Sequence, residues 1–370
     1  MRIALLGDIA LYGKYSMKNK NIYNYFSEVS KFLGEFDFVV GNLETPLCEN
    51  CEPSGVKSAH IKGGLKDIDI LKFLNINAVN LANNHIFDYG VVGYNSTINA
   101  LEENSIGYFG VSNKELIISF GNNSLAFSGY CCYSSNGNGY LESGDSVGVN
   151  ILDAEAVETN LTNNHRNGNL NIISVHAGQE HINYPNYDHI QLSRLLASKV
   201  PYIYYGHHPH VIQGIEKYYN SLLAYSLGNF CFDDVYTEKS NDPLIRQSEE
   251  NKKGFILGLE IVKNEIVKYE IIPLFMDNEK LAVNSNFKII QDVKNYSEYL
   301  KIDKEKYIKT RQNLLKEYID LRKKSRNLKW YLSRLNLRSI KLIKVIRKNK
   351  RFYTHYVLKY LAKNSVKQDG

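Results

Sequence analysis

Three histidines fall within four positions, at His207, His208 and His210, in a chain that has only 10. They close the run Tyr205-Gly206-His207-His208-Pro209-His210-Val211, which follows the apolar segment Tyr202-Ile203-Tyr204-Tyr205. Imidazole is the commonest metal ligand among side chains. In an extended chain residues i and i+2 share a face, so a strand ending at Gly206 and continuing extended would aim His208 and His210 at one point. The plain alternative is a turn with solvated histidines. What separates the two readings is whether other short runs supply further ligands.

Four runs do. Gly7-Asp8 closes the apolar stretch Ile3 to Leu6, and Gly41-Asn42-Leu43-Glu44 closes Phe36 to Val40. Ala82-Asn83-Asn84-His85 closes Ala78 to Leu81, and His176 closes Leu170 to Val175. Singly each is ordinary: a helix cap, a turn residue, a hydrogen-bonded histidine. Five strand ends that each carry a metal-competent side chain are not what turn chemistry predicts. Two divalent cations held about 3.5–4 Å apart by carboxylate, amide oxygen and imidazole can clamp a phosphoryl or acyl group and activate a water at neutral pH. Such a centre needs a bridging carboxylate, an Asn or Asp on one ion, two or three histidines, and an unligated histidine for the leaving group. Asp8, Glu44, Asn84, His176, His208 and His210 supply the ligands, and His85 the proton donor. Oxygen and imidazole donors without thiolate suit two transition-metal ions, Mn, Fe or Zn alike.

Several neighbours belong beside the ligands. Asp88 and Glu180 read as acceptors that orient His85 and His176, or equally as salt-bridge or helix-start carboxylates. Asn42 and His207 adjoin the set. Asn229, in the turn Leu227-Gly228-Asn229-Phe230, reads as holding that turn in shape, with substrate contact as its second reading.

The elements that must position these residues alternate. Helical spacing at Ile22 to Leu33, Ile68 to Leu74, Val91 to Asn104, Asp153 to Asn164 and Tyr187 to Lys199 separates the apolar runs. Strands alternating with helices imply βαβ units and a mostly parallel sheet, whose ligands bind past the carboxyl ends of the strands. Two hairpins interrupt the pattern, around Gly121-Asn122-Asn123 and Lys263-Asn264-Glu265, the second closing the core. Ser134 to Gly148, rich in Gly, Ser and Asn, reads as a long surface loop near the site. The folded body, residues 1–275, is expected to end near Pro273 to Asn278, leaving 276–370 as a basic, largely helical tail.

Charge divides the chain in the same way. Residues 301–370 hold 22 Lys and Arg against 5 Asp and Glu, whereas the first 300 hold 23 against 34. From residue 321 on, aromatic and aliphatic residues such as Trp330, Tyr331, Leu332, Leu335, Ile340, Ile343, Ile346, Phe352 and Tyr356 are interspersed among cations. That composition suits an anionic membrane surface, packing on the acidic body or a partner, or nucleic acid, which is the least favoured because no nucleic-acid motif accompanies it. No run approaches the roughly 20 apolar residues of a spanning helix. The opening run reads as a buried strand, not a signal sequence, so a cytoplasmic protein, peripheral at the inner membrane face at most, is expected. The odd count of 5 cysteines agrees with a reducing compartment, with Cys48 and Cys51 read as free thiols.

Gly41-Asn42-Leu43-Glu44-Thr45-Pro46-Leu47, Leu81-Ala82-Asn83-Asn84-His85 with Asp88-Tyr89-Gly90, His176-x-Gly178-x-Glu180, Gly206-x-His208-Pro209-His210-Val211 and Tyr225-Ser226-Leu227-Gly228-Asn229-Phe230 together resemble the CapA/PgsA family of capsule and poly-γ-glutamate biosynthesis proteins. The resemblance spans Met1 to about Asp233, and that family in turn resembles calcineurin-like metallophosphoesterases. It implies an α/β fold, a four-layer α/β/β/α sandwich with a dinuclear centre at the strand ends, extended here by the basic helical C-terminus. It places Asp8, Glu44, Asn84, His176, His208 and His210 at ligand positions and His85 at that of the catalytic histidine. Two departures from the phosphoesterase pattern stand out: Ala10 replaces the histidine of Asp-x-His, and Asn42 replaces an aspartate, leaving Glu44 as the bridging carboxylate. The resemblance implies a metal-dependent hydrolase of phosphoester or amide bonds acting on a surface-polymer or glycan intermediate. The alternatives are a non-catalytic polymer-binding or assembly factor and, third, a nucleotide phosphodiesterase.

Overall fold

In a computed structural model, residues 1–365 are described apart from 58, 136, 143, 238–239 and 325–336. The first third alternates as expected: β1 (Arg2–Ile9), α1 (Ile22–Leu33), β2 (Phe38–Leu43), α2 (Ile68–Phe73), β3 (Ala78–Asn80), α3 (Gly90–Glu103) and β4 (Gly107–Phe109). A hairpin, β5 (Leu116–Phe120) and β6 (Asn123–Cys131), leads into α4 (Ala154–Arg166), β7 (Leu170–His176), α5 (Tyr187–Ala197), β8 (Tyr202–His207), β9 (Ile215–Tyr218) and β10 (Ser221–Ala224). β11 (Asn229–Cys231), the ribbon β12 (Val235–Thr237) and β13 (Ser240–Ile245), the long hairpin β14 (Lys253–Val262) and β15 (Glu265–Met276), and β16 (Leu281–Val283) complete the strands.

These strands form two large sheets, ordered β16-β15-β14-β1-β2-β3-β4 and β5-β6-β7-β8-β10-β9, with β11 added to β1. β1 through β4 run parallel, as do β6, β7 and β8, while β14 closes against β1 antiparallel. Period-two alternation explains how one strand serves two cores. Ile3 and Leu5 face the space between the sheets, where they meet Phe127, Ile172, Ile203, Phe255 and Leu257. Ala4 and Leu6 face the other way, into a core shared with α1, α2 and α3. α1 reaches that core through Ile22, Tyr25, Phe26, Val29 and Leu33, one helical stripe. A third cluster joins the far face of the second sheet to α4 and α5. The order across the body is therefore helix, sheet, sheet, helix.

Two expectations are corrected here. The body does not stop at residue 275: β15 runs to Met276, β16 pairs with it, and α6 (Lys288–Tyr299) buries Ile289 and Val293 in the core between the sheets. The predominantly polar composition of that segment hid two core residues at helical spacing. Cys48 and Cys51 are joined in a disulfide, while Cys131, Cys132 and Cys231 are free and buried. A single Cys-x-x-Cys needs no second pair when it bonds to itself.

Beyond α6 come α7 (Lys304–Lys324), α8 (Leu337–Tyr353), a π turn over Thr354–Leu358, and α9 (Lys359–Ser365). This extension packs on the α4 and α5 layer through Tyr307, Val357 and Tyr360. Tyr353 bonds Asp188, Tyr360 bonds Glu158, and Lys363 meets Glu155 at 2.8 Å. Trp330, Tyr331, Leu332 and Leu335 lie outside the described residues. No described helix is long and apolar enough to cross a membrane.

Because Ile289 is fully buried between the sheets, Ile289→Ala is expected to cost about 2–5 kcal/mol of unfolding free energy. Chemical denaturation of the full chain measures it; a loss below about 0.5 kcal/mol would place α6 outside the body.

Candidate metal centre

The carboxyl ends of both sheets converge on one buried cleft. β1 delivers Asp8, and the strand can approach its neighbour so closely because residue 7 is glycine: a Cβ there would lie 2.0 Å from the Gly228 carbonyl oxygen. Asp8 Oδ1 accepts from Asn42 Nδ2 at 2.8 Å, and Asn42 Oδ1 accepts in turn from Asn80 Nδ2 at 2.9 Å. Asn42 thus turns its nitrogen to the carboxylate and serves as a donor in a chain of amides. Asp8 Oδ2 also accepts the His208 backbone N–H at 3.2 Å.

Glu44, just past β2, is the centre of the arrangement. Its Oε1 stands 3.5 Å from His176 Nε2 and 4.0 Å from His210 Nε2. Asp8 Oδ2 lies 3.4 Å from His210 Nδ1, and Asp8 Oδ1 lies 2.9 Å from His207 Nδ1. Ligand atoms of Asp8, Glu44 and His210 all fall within 4.8 Å of one another. On the other side of Glu44, His176 Nε2 is 2.9 Å from Asn84 Oδ1, and the His176 and His208 rings are 4.8 Å apart. Six of the expected residues, Asp8, Glu44, Asn84, His176, His208 and His210, are therefore brought together, with His207 closer to Asp8 than sequence suggested.

The reason His208 and His210 converge differs from the expectation. β8 stops at His207, and His208 and His210 adopt φ of 91° and 56°. The rings meet through left-handed backbone and not through the pleat of a strand. Non-glycine residues held there cost on the order of 1 kcal/mol or more each, which the surroundings must offset. Asn229, buried beside β1, supports one ring: its Oδ1 is 2.9 Å from His210 Nδ1, which leaves His210 Nε2 as the lone-pair atom on the Glu44 side.

Burial shapes the electrostatics. Desolvation, then the neighbouring Asp8 charge, push the Glu44 carboxyl well above its usual range. Desolvation pushes Asp8 up too, but His207, His210 and Asn42 outweigh it and leave Asp8 below the ordinary value. Burial also holds His176 well below the normal imidazole range and brings His208 to about 4. Both imidazoles are thus neutral, the form that donates a lone pair. Among the described residues, both Glu44 oxygens, His176 Nδ1, His208 Nδ1 and both His207 nitrogens are buried without a hydrogen bond. Buried carboxylate oxygens that no donor satisfies, in a group whose Asp8, Glu44 and His210 ligand atoms lie within 4.8 Å of one another, are what a divalent cation would answer, so this donor set fits such an ion.

His85 sits at the edge, tied by Nδ1 to Asp88 Oδ2 at 2.7 Å. Asp88 also takes Lys57 Nζ at 2.6 Å and the Ile61 N–H at 2.9 Å. Lys57 Nζ further donates to the Asn84 carbonyl at 2.7 Å and lies 3.0 Å from His85 Nδ1. Burial alone would raise the Asp88 pKa; Lys57 and His85 carry it down to about 2. For His85, burial and Lys57 outweigh Asp88 and lower its pKa. Asn83 caps the local turn, accepting the His85 and Ile86 N–H groups at 3.0 and 2.9 Å. Glu180 is partly exposed and directed to the histidines, which lower its pKa against the opposing effect of burial.

Lys57, Asn80, Asn83, His181 and Asn251 were not singled out from sequence. Asn251 bonds the His210 carbonyl at 2.9 Å and lies 2.9 Å from His181 Nδ1. Tyr318 of α7 stacks on His181 with centroids 5.3 Å apart, so the extension borders the cleft. Lys57 lies in a polar stretch with no periodicity, and only its three-dimensional partners mark it. His181 carried a signal, standing one residue past the His176-x-Gly178-x-Glu180 run.

Residues 2–234 match the family described as Bacterial capsule synthesis protein PGA_cap, and the chain belongs to that family. It is similar to the PGA biosynthesis protein CapA of Bacillus subtilis (strain 168), 27% identical over 280 residues, covering 73% of this chain and 70% of that protein. It is also similar to the Capsule biosynthesis protein CapA of Bacillus anthracis, 28% identical over 262 residues, covering 66% of this chain and 63% of that one. Among solved structures, a putative 5'-nucleotidase from Staphylococcus aureus aligns over 80% of this chain and 58% of its own, at 11% identity and a TM-score of 0.47. The calcineurin-like phosphoesterase YfkN from Bacillus subtilis aligns over 82% and 99%, at 14% identity and a TM-score of 0.41.

Asp88→Asn removes the buried carboxylate 2.6 Å from Lys57 Nζ, at an expected cost of about 3–5 kcal/mol near neutral pH. Because the folded pKa is depressed, the contribution of Asp88 is full above 3.8 and lost as pH falls through about 2. Denaturation at a series of pH values should show the gap between parent and variant closing over that window. A gap constant down to pH 2 would sink the account.

Proposed function

We propose that this capsule-synthesis family member is a metal-dependent hydrolase of a surface-polymer or glycan intermediate, cleaving a phosphoester or amide bond. The observation that carries the reading is Glu44: fully buried, both oxygens without a hydrogen bond, and with His176 Nε2 and His210 Nε2 3.5 and 4.0 Å from its Oε1. In this reading Asp8, Glu44 and His210, with His207, hold one divalent ion, and Glu44, Asn84, His176 and His208 hold a second. Ions so placed would activate a water and draw charge from the scissile group.

The protein groups then have separate tasks. Glu44 would serve both ions, where standard phosphoesterases have an aspartate, while Asn42 donates to Asp8 and holds it in place. Asn229 fixes the His210 tautomer. Asp88, kept anionic by Lys57, holds His85 by Nδ1 and leaves Nε2 to pass a proton to the leaving group. With its pKa lowered, His85 rests neutral, so Nε2 would first take up a proton from water and then give it readily to the leaving group. Ala10, where phosphoesterases carry a histidine, leaves the Asp8 ion with one imidazole fewer, so the two sites should differ in affinity.

Elemental analysis of purified, reconstituted protein should find two equivalents of a transition metal. Glu44→Gln and His210→Ala should each lose at least one, and His85→Ala should keep both while losing more than about 100-fold in turnover of phosphoester or amide substrates. Metal retained but turnover unaffected in His85→Ala would favour the assembly-factor reading. No metal after reconstitution would end the catalytic one.

A further inference from the structure

α8 presents two different faces. Inward, Asn349 is buried, Phe352 stacks on Tyr133 with centroids 4.7 Å apart, and Lys348 reaches Glu142 at 2.7 Å. Away from the body, Ile340, Ile343 and Ile346 are 53%, 50% and 42% exposed. Their spacing of three sets them along one side of the helix. Around them stand Lys341, Lys344, Arg347, Lys350 and Arg351, and the helix as a whole has seven Lys and Arg and no Asp or Glu. No hydrogen bond or ion pair to a described residue occupies these five cations.

Exposed isoleucines among cations suit one environment better than water. At a bilayer surface aliphatic side chains enter the acyl boundary, while long basic side chains reach back to the headgroup phosphates. A second copy of the same face would set cations against cations. A soluble polyanion would engage the charges and leave the isoleucines in water.

We propose that α8 seats on the surface of an anionic bilayer, Ile340, Ile343 and Ile346 inserted and Lys344, Arg347 and Arg351 on lipid phosphates. The seating has a consequence for the cleft and does not depend on its chemistry. Tyr133, against which α8 packs, also stacks on Tyr140 at 4.5 Å, and Tyr140 accepts the Gly137 N–H at 3.0 Å. A Cβ on Gly137 would lie 2.8 Å from the Asn84 Cα. The loop that backs Asn84 is thus packed against α8, and lipid binding would hold the cleft close to the membrane surface.

Full-length protein is sedimented with phosphatidylcholine vesicles that contain or lack phosphatidylglycerol. Binding is expected only to the anionic vesicles and should weaken as salt is raised. The triple variant Ile340→Ser, Ile343→Ser and Ile346→Ser keeps every charge and should lower partitioning by about tenfold or more. If its melting temperature falls, the single Ile340→Ser and Ile343→Ser variants carry the comparison, each expected to lose about threefold. No binding to anionic vesicles overturns the proposal. So do serine variants that bind like the parent, or tighter binding to a DNA oligonucleotide than to vesicles.

Discussion

Two carboxylates buried side by side, Asp8 and Glu44, set the terms for everything around them. Removing like charges from water is unfavourable unless a cation answers them, and no Lys or Arg among the described residues bonds to either. Asp88, a short distance away, shows the other solution, since Lys57 neutralises it directly. The contrast between Asp88 and the pair Asp8 and Glu44 is the clearest physical feature of the cleft. Asp88 is satisfied within the protein; the pair is surrounded by imidazoles and amides, groups that can join it in holding a metal cation.

The framework is arranged to make that cluster possible. Strand ends from two separate sheets bring it together, so neither sheet alone holds a complete donor set. Glycine at position 7 lets β1 and the turn before β11 approach to near contact. Left-handed backbone at His208 and His210 aims two rings inward at a local cost. Amide side chains, Asn42, Asn80, Asn83, Asn229 and Asn251, then fix orientations without adding charge. Their number reflects a constraint: every further carboxylate would deepen the repulsion that Glu44 already carries.

Much of this was legible in the sequence because the residues sit at the ends of strongly patterned strands. Asp8, Glu44, Asn84 and His176 could be placed from the apolar runs before them, and the alternation of strand and helix announced the α/β fold. What escaped had physical causes. The His208 and His210 geometry depends on positive φ, which residue type does not announce for histidine. Lys57 acts from an irregular segment, so no periodicity points to it. α6 was assigned to the tail because its composition is polar, although Ile289 and Val293 suffice to lock it into the core. Cys48 and Cys51 were read through cell compartment and not through their own proximity, and the local pairing was missed.

The position of β1 also governs how the chain must come together as it is made. Its residues Arg2 to Leu5 pair on one side with β2 and on the other with Leu257 to Glu260 of β14. At about 5–20 residues per second of synthesis, the second partner leaves the ribosome on the order of ten to fifty seconds after the first strand. Throughout that interval the strand bearing Asp8 has one open edge, a natural client for a chaperone. Asp8 itself, the first residue of the cluster to be translated, gains its edge partner only with Asn229 of β11, so more than 200 residues must follow it before that strand end is closed.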